Sequence, residues 1–334
     1  MKIEQIFTKR KYEHLHFWDL VYEWEDILSS ALDVDLNYEP ESFNKILKGI
    51  PFVYKIITKG KPSLCFQMGA EVLYGKKGYL QEFVCRGMRS KNIASVIPCI
   101  IDFWLTEADL KAFEKAYSHN KVVLVSSKEA YMFLKRHSIK LNIEHWPLSL
   151  PDKYSITPIT KFEKKYDLAM MGRQSPVLEG FLQKYIQKHP DFVYAYKKKE
   201  NGHFNYYTNK GEFVGCADER EGYFNVMRGA RCGLYSTPGL DDKEGANGWN
   251  QITPRFLELI SSGCHIIARY PQNDDTDFWN ISEFTPSIET YEQFEKVLDN
   301  AIATPVDMKH YSDYLKQHYT SVRAKQLVNI IKDL

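Results

Sequence analysis

No Cys-x-x-Cys pair occurs among the six cysteines, so the spacing of a zinc ribbon or dithiol centre is missing. The cysteines, at 65, 85, 99, 216, 232 and 264, have mostly apolar neighbours, as in Leu64-Cys65-Phe66 and Pro98-Cys99-Ile100. The expectation is buried free thiols in a reducing cytosol. No window approaches ~18 uninterrupted apolar residues, which argues against a spanning helix. The N-terminal MKIEQIFTKRKYEH has no signal-peptide apolar core, so a cytoplasmic location is expected. The net charge is only +1, so no global field recruits nucleic acid, and no nucleic-acid motif is present. Short repeats and low-complexity tracts are also lacking. An Asp-x-Asp match, Asp33-Val34-Asp35, lies in an acidic N-terminal stretch. The pair His14 and His16 has no acidic or cysteine partner at ligand spacing, so no metal site is expected.

What is present is the composition of an ordinary globular protein, with 44% hydrophobic and 26% charged residues. The 334 residues suggest two domains at roughly 100–200 residues each. The 22 Tyr and 19 Phe supply much of the core and can line a binding cleft. Charge is unevenly spread: residues 1–44 hold four basic and ten acidic side chains, residues 45–91 ten basic and two acidic. The basic stretch, with Lys59, Lys61, Lys76, Lys77, Arg86, Arg89 and Lys91, is either a solvated face or a patch for an anionic partner such as lipid head groups.

Short apolar runs read as buried strands, each leading into a loop and a helical pattern. In the first half these are 63–68, part of 93–101, 121–125 and 143–146, with Ser126 or Ser127 capping a helix from Glu129 to Arg136. Residues 151–165 hold two prolines and no periodicity, and read as a linker. A second series follows: strands at 166–171, 192–196, 232–236 and 265–268, and helices at 176–188, 219–230, 254–262, 289–303 and 307–334. Two such blocks imply two doubly wound α/β domains, with ligands beyond the carboxyl ends of the strands and in the cleft between facing domains. The expected division is 1–157, 158–305 and a closing helical segment, 306–334.

The most informative stretch is 245–268, GANGWNQITPRFLELISSGCHIIA. A glycine-containing loop runs into a helix carrying Arg255 and Glu258, Gly263 ends the helix, and a buried strand follows. A loop feeding a helix N-terminus offers amides and a positive dipole end to a diphosphate, and a carboxylate beyond can accept from ribose hydroxyls. This segment resembles the donor-binding signature of GT-B glycosyltransferases of the large group-1, family 4-like clan, and within it a divergent bacterial surface-polysaccharide branch. That signature has two glutamates separated by seven residues, then a small-residue turn and a strand. Glu258 matches the second glutamate and Ser261-Ser262-Gly263 the turn; Asn250 stands where the first glutamate is expected.

Weaker matches follow in order along the chain. Gly172-Arg173 looks like the family's phosphate-pairing Gly-Arg, and Lys197, Lys198 and Lys199 follow the next strand, where an assisting lysine is usual. Ile101-Asp102 looks like the family's His-Asp with the histidine replaced, Leu150-Pro151-Asp152 like its interdomain segment, and residues 319–331 like its closing helix. The resemblance implies a GT-B fold and transfer of a sugar, a hexose in the family's pattern, from a nucleotide-diphosphate donor to a saccharide acceptor. It implies donor contacts from Gly172, Arg173, Lys197, Asn247, Asn250, Thr253, Arg255 and Glu258, metal-independent chemistry without a cofactor, and retention of configuration. It further implies work in lipopolysaccharide O-antigen or capsule synthesis, on an acceptor that is lipid-linked or soluble. Asp102 and His16 are the acceptor-side candidates for catalysis; an inverting reaction would draw a base from Asp102, Glu71 or His16. Asp102 has a second reading as a helix cap. Replacement of the His at 101 and the Glu at 250 leaves open a catalytically inactive, GT-B-shaped subunit of a glycan-assembly complex.

The basic stretch generates a test. Each base near an anionic surface contributes roughly 1 kcal/mol, weakened by salt. Co-sedimentation with anionic liposomes is therefore expected at low salt and not at high salt. Replacing Lys59, Lys61, Lys76 and Lys77 by Gln should remove it; binding that survives places the contact elsewhere on the chain.

Overall fold

The apolar runs form buried strands in two separate sheets. The structure, a computed structural model, describes residues 2–10, 16–38, 61–69, 95–241, 246–332 and 334, without the side chains of 16 and 17. The His16 side chain, His14, Glu71, Cys85 and the basic residues Lys59, Lys76, Lys77, Arg86, Arg89 and Lys91 lie outside the described residues. The chain divides into two units, Met1–Asp152 with Thr320–Leu334, and Lys153–Tyr319.

The first unit holds strands β1 (Gln5–Thr8), β2 (Asp35–Tyr38), β3 (Ser63–Gln67), β4 (Val96–Ile100), β5 (Val123–Val125) and β6 (Ile143–His145). Their order is β2-β1-β3-β4-β5-β6, and every pairing is parallel. Parallel neighbours need crossovers, which cover both faces of a sheet. All residues of β3 and β4 are accordingly buried, which is why these segments read as unbroken apolar runs. Polar groups inside this sheet find partners. Gln5 Nε2 donates to Ser63 Oγ at 2.7 Å, and the Tyr117 hydroxyl donates to Gln67 Oε1 at 2.6 Å. Ser127 caps the helix Lys128–Arg136 by accepting from the Ala130 amide. The closing helix Thr320–Lys332 is tied into this unit: Trp146 Nε1 donates to the Arg323 carbonyl at 3.0 Å, and the Ser321 amide donates to Asp152 Oδ2 at 3.0 Å.

The second unit holds β7 (Tyr166–Ala169), β8 (Tyr194–Glu200), β9 (His203–Thr208), β10 (Phe213–Cys216), β11 (Ala230–Ser236) and β12 (His265–Arg269), in the order β10-β9-β8-β7-β11-β12. The pairs from β8 to β12 through β7 and β11 are parallel. Leu168, Leu234 and Ile267 from this sheet pack with Leu178, Leu182, Phe294 and Leu298 from helices Pro176–Lys188 and Tyr291–Ala303.

Two features depart from the sequence reading. First, β8, β9 and β10 form an antiparallel edge, so Lys197, Lys198 and Lys199 are strand residues, not loop residues after a strand. The turn between β8 and β9 is Asn201-Gly202, both at positive φ (51° and 88°), the two-residue connection whose twist suits a hairpin. Second, the units divide at 152/153 and 319/320, not at 157/158 and 305/306. Tyr154 stacks on Phe224 with centroids 3.6 Å apart. The helix Met308–Leu315 stays in the second unit because the Tyr311 hydroxyl donates to the Cys264 carbonyl and that of Tyr314 to the Trp279 carbonyl. Residues Thr320–Leu334 belong to the first unit.

A buried carboxylate makes the first unit sensitive to pH. Glu25, on the helix His16–Leu32, is 1% exposed; the Thr8 hydroxyl donates to it at 2.5 Å, and Arg10 stands 3.8 Å away. Burial outweighs those contacts and pushes its pKa from 4.5 up to about 8. The folded chain thus keeps a proton that the unfolded chain releases, so stability falls as pH rises through that window. The expected slope is up to about 1.4 kcal/mol per pH unit between roughly pH 5 and 8. Urea melts at pH 5.5 and 8 should show it, and Glu25→Gln should flatten it; equal slopes for both proteins would rule Glu25 out as the source.

Candidate functional site

The residues that gather in the second unit stand at the carboxyl ends of β7 and β11, where parallel sheets present loop residues to ligands. After β7 the chain turns at Gly172, whose φ is +67°. The Arg255 guanidinium fills the space beside it: a Cβ on residue 172 would collide with Nη2 and lie 2.9 Å from Cζ. Arg255 Nη1 donates to the Arg173 carbonyl at 3.1 Å, and the Gly172 amide donates to the Tyr206 hydroxyl at 3.4 Å. Ser175 then caps the helix Pro176–Lys188 and donates to the Asp241 carboxylate, which also pairs with Arg269 at 3.1 Å.

Around this turn lie two adjoining clefts. One is about 50 Å³ and is lined by Arg173, Ser175, Thr237, Asp241, Thr253 and Arg255 among others. The second, about 260 Å³, adjoins it through Gln174 and is lined by Gly172, Tyr194, Tyr196 and Lys197. Arg255 Nε and Thr253 Oγ1 are both buried without a hydrogen-bond partner. Such groups cost roughly 1–3 kcal/mol each unless a ligand or water satisfies them. Lys197 is exposed by its overall surface; partial desolvation, then the charge of Arg255, lowers its pKa. Arg173 is exposed. The cleft therefore gathers cationic and donor groups on one side, an arrangement suited to an anion.

The structure thus brings Gly172, Arg173, Lys197, Thr253 and Arg255 together. Asn250 sits behind them, accepting from the Thr237 hydroxyl at 2.8 Å. Asn247 is an exposed loop residue at φ +49°. Glu258 is buried and its Oε1 accepts from Arg220 Nη2 at 2.7 Å, so part of its carboxylate already serves a cation within the protein. The expected helix-amide cradle is also largely taken up. The helix is short, Arg255–Ser261; the Phe256 amide donates to the Thr253 carbonyl and that of Glu258 to the Pro254 carbonyl. Lys198 instead pairs with Glu200 at 2.6 Å. In the first unit Asp102 follows β4, but Thr106, with Asp109, begins the next helical turn, which removes the capping role from Asp102. Arg220, Tyr206 and Tyr235, whose hydroxyl accepts from the Thr253 amide at 3.0 Å, were not singled out from sequence. They join the site through contacts distant along the chain, and no local pattern announces them. Four cysteines, Cys65, Cys99, Cys232 and Cys264, are buried and free, as expected, while Cys216 is partly exposed. Among the described residues no helix is long and apolar enough to cross a membrane.

Solved structures share this architecture at low sequence identity. Sucrose-phosphate synthase from Thermosynechococcus elongatus aligns over 100% of this chain and 99% of its own, with a TM-score of 0.57 and 10% identity. The fold is that of the GT-B glycosyltransferases. The GtfA/B complex (TM-score 0.48, 9% identity, 85% of this chain) and the glycotransferase of kitacinnamycin (0.42, 10%, 98%) are more distant. This chain spans 59% of the length of the matched GtfA/B chain and 98% of the kitacinnamycin one. No family model matches the chain, and no curated protein matches it in sequence.

The contact of Gly172 with Arg255 can be tested. Gly172→Ala should destabilise the second unit by about 1–2 kcal/mol from φ alone, and further from the collision. In an Arg255→Ala background the collision is gone, so the penalty should shrink towards the backbone cost. Denaturation midpoints of the four proteins decide this; equal penalties in both backgrounds would mean the guanidinium does not occupy that space.

Proposed function

We propose that the chain transfers a glycosyl group from a nucleotide-diphosphate sugar to a saccharide acceptor, with the donor diphosphate bound at the cleft of the second unit. The observation that carries this reading is the pair of unpartnered buried groups, Arg255 Nε and Thr253 Oγ1, in a cleft also lined by Arg173. An anion with several acceptor oxygens satisfies both at once. In the transfer, the bond between the anomeric carbon and the diphosphate oxygen breaks as the acceptor oxygen bonds to that carbon. Negative charge grows on the departing diphosphate, and Arg173, Arg255 and Lys197 are placed to stabilise it. These cations take the part a metal plays elsewhere. Tyr194 and Tyr196 line the larger adjoining cleft and offer apolar faces beside the phosphate groups.

The finer reading follows the sequence resemblance: a hexosyl donor, retention of configuration, Asp102 and His16 orienting or deprotonating the acceptor, and a cytoplasmic place in surface-polysaccharide synthesis on a lipid-linked acceptor. With Glu258 committed to Arg220, its role on this reading is to set Arg220 and the neighbouring Arg255, and Asn250 contributes through Thr237.

A panel of nucleotide sugars, read by calorimetry and by product formation, tests the proposal. The wild type should bind one donor class and turn it over. Arg255→Ala should weaken donor binding by about 10- to 100-fold, the loss of a charged hydrogen bond of roughly 1.5–3 kcal/mol. Arg173→Ala should lower kcat more than it raises KM, because its contact strengthens as charge develops. Binding without turnover for any acceptor would favour the inactive binding subunit; no binding at all would defeat the site assignment.

A further inference from the structure

The outer hairpin of the second sheet gathers three metal-ligating side chains that have no part in the donor cleft. The ligand atoms of His203, Cys216 and Asp218 all lie within 4.8 Å of one another. We propose that these three residues form a binding site for a zinc-type divalent cation, with nitrogen, sulfur and oxygen donors and a further position open to water.

A β-bulge builds the cluster. Phe213 pairs with Tyr207, but Gly215 pairs with Tyr206 and Cys216 with Asn205, so Val214 is the extra residue. The Ala217 amide donates to the Phe204 carbonyl at 2.8 Å, which carries the shifted register onward and sets Asp218 opposite His203. In regular pairing Ala217 would stand there, and Cys216 and Asp218 would face the other side of the sheet. Bulges of this kind re-aim side chains, and here one residue turns both ligands towards His203. Asp218 is further oriented from the backbone: the Phe204 amide donates to Oδ1 at 2.8 Å, while Oδ2 meets His203 Nδ1. Such support of a ligating carboxylate is typical of metal sites. Gly222 completes the fit, since a Cβ there would collide with the Cys216 carbonyl; its absence lets the helix Arg220–Arg228 close over the strand end.

The donor set selects the ion. A thiolate with an imidazole suits zinc or cobalt and disfavours magnesium and calcium, which take oxygen ligands. Binding takes the thiolate form, so the thiol proton leaves to solvent as the sulfur–metal bond forms. His203 is exposed and Cys216 partly so, giving the ion an open approach. Once bound, it would clip β9 to Cys216, at the end of β10, and to Asp218, two residues before Arg220, the partner of Glu258. The site stands independently of the glycosyl-transfer reading.

The test is titration of the metal-stripped full chain with Co²⁺, read by the thiolate-to-metal charge-transfer band. One equivalent should saturate the band, Zn²⁺ should displace it, and excess Mg²⁺ should not. Cys216→Ser should abolish the band. His203→Ala, at an exposed position, should weaken Co²⁺ binding at least about tenfold, with the melting temperature of the metal-free protein unchanged. A band that persists in Cys216→Ser, unaltered affinity in His203→Ala, or no saturable band in the wild type would each overturn the proposal.

Discussion

The Arg255 guanidinium lies against a residue that must have no side chain. Because Gly172 lacks a Cβ and turns at positive φ, a full positive charge sits beside the end of β7 and reaches the Arg173 carbonyl. Any other residue at 172 would push that charge away from the backbone it bonds. The neighbouring arrangement depends on this contact: Tyr206 accepts from the Gly172 amide, Lys197 feels the Arg255 charge, and Arg173 is set at the cleft wall.

Charge this concentrated needs balance from within the protein. Glu258 supplies it one turn along the same helix, but Arg220 claims that carboxylate. Breaking a buried pair strands the remaining charge and costs more than the pair is worth in place. Removing Glu258 would therefore disturb Arg220 and Arg255 together. The cleft keeps a net excess of donors, two of them buried and unpartnered. A protein interior tolerates that where a ligand or water makes up the missing bonds.

A chain with 10% identity to sucrose-phosphate synthase aligns with it end to end. Cores accept wholesale exchange of apolar residues if volume and pattern are kept, so the two α/β units survive when little sequence does. Sites are less forgiving, because a hydrogen bond depends on particular atoms. Chemistry accordingly resides in the cleft's own side chains, and the fold supplies their frame.

The local part of the structure was legible in the sequence. Buried strands β3, β4, β5, β7, β11 and β12 are apolar runs, the helix Pro176–Lys188 begins at a serine cap and a proline, and Gly172 and Arg255 stand in segments that resemble a known donor signature. Each of these depends on neighbours within a few residues. The Asn201-Gly202 turn is an equally local signal for the β8–β9 hairpin. Other features were decided only by tertiary structure: the burial of Glu258 against Arg220, 38 residues away along the chain; the retention of helix Met308–Leu315 in the second unit; and the meeting of His203 with Cys216 and Asp218. In each case the deciding partner is distant in sequence, and a pairing register or a single hydroxyl sets the outcome. Periodicity determines which face of a segment is buried, but not which side chain from another segment it will meet there.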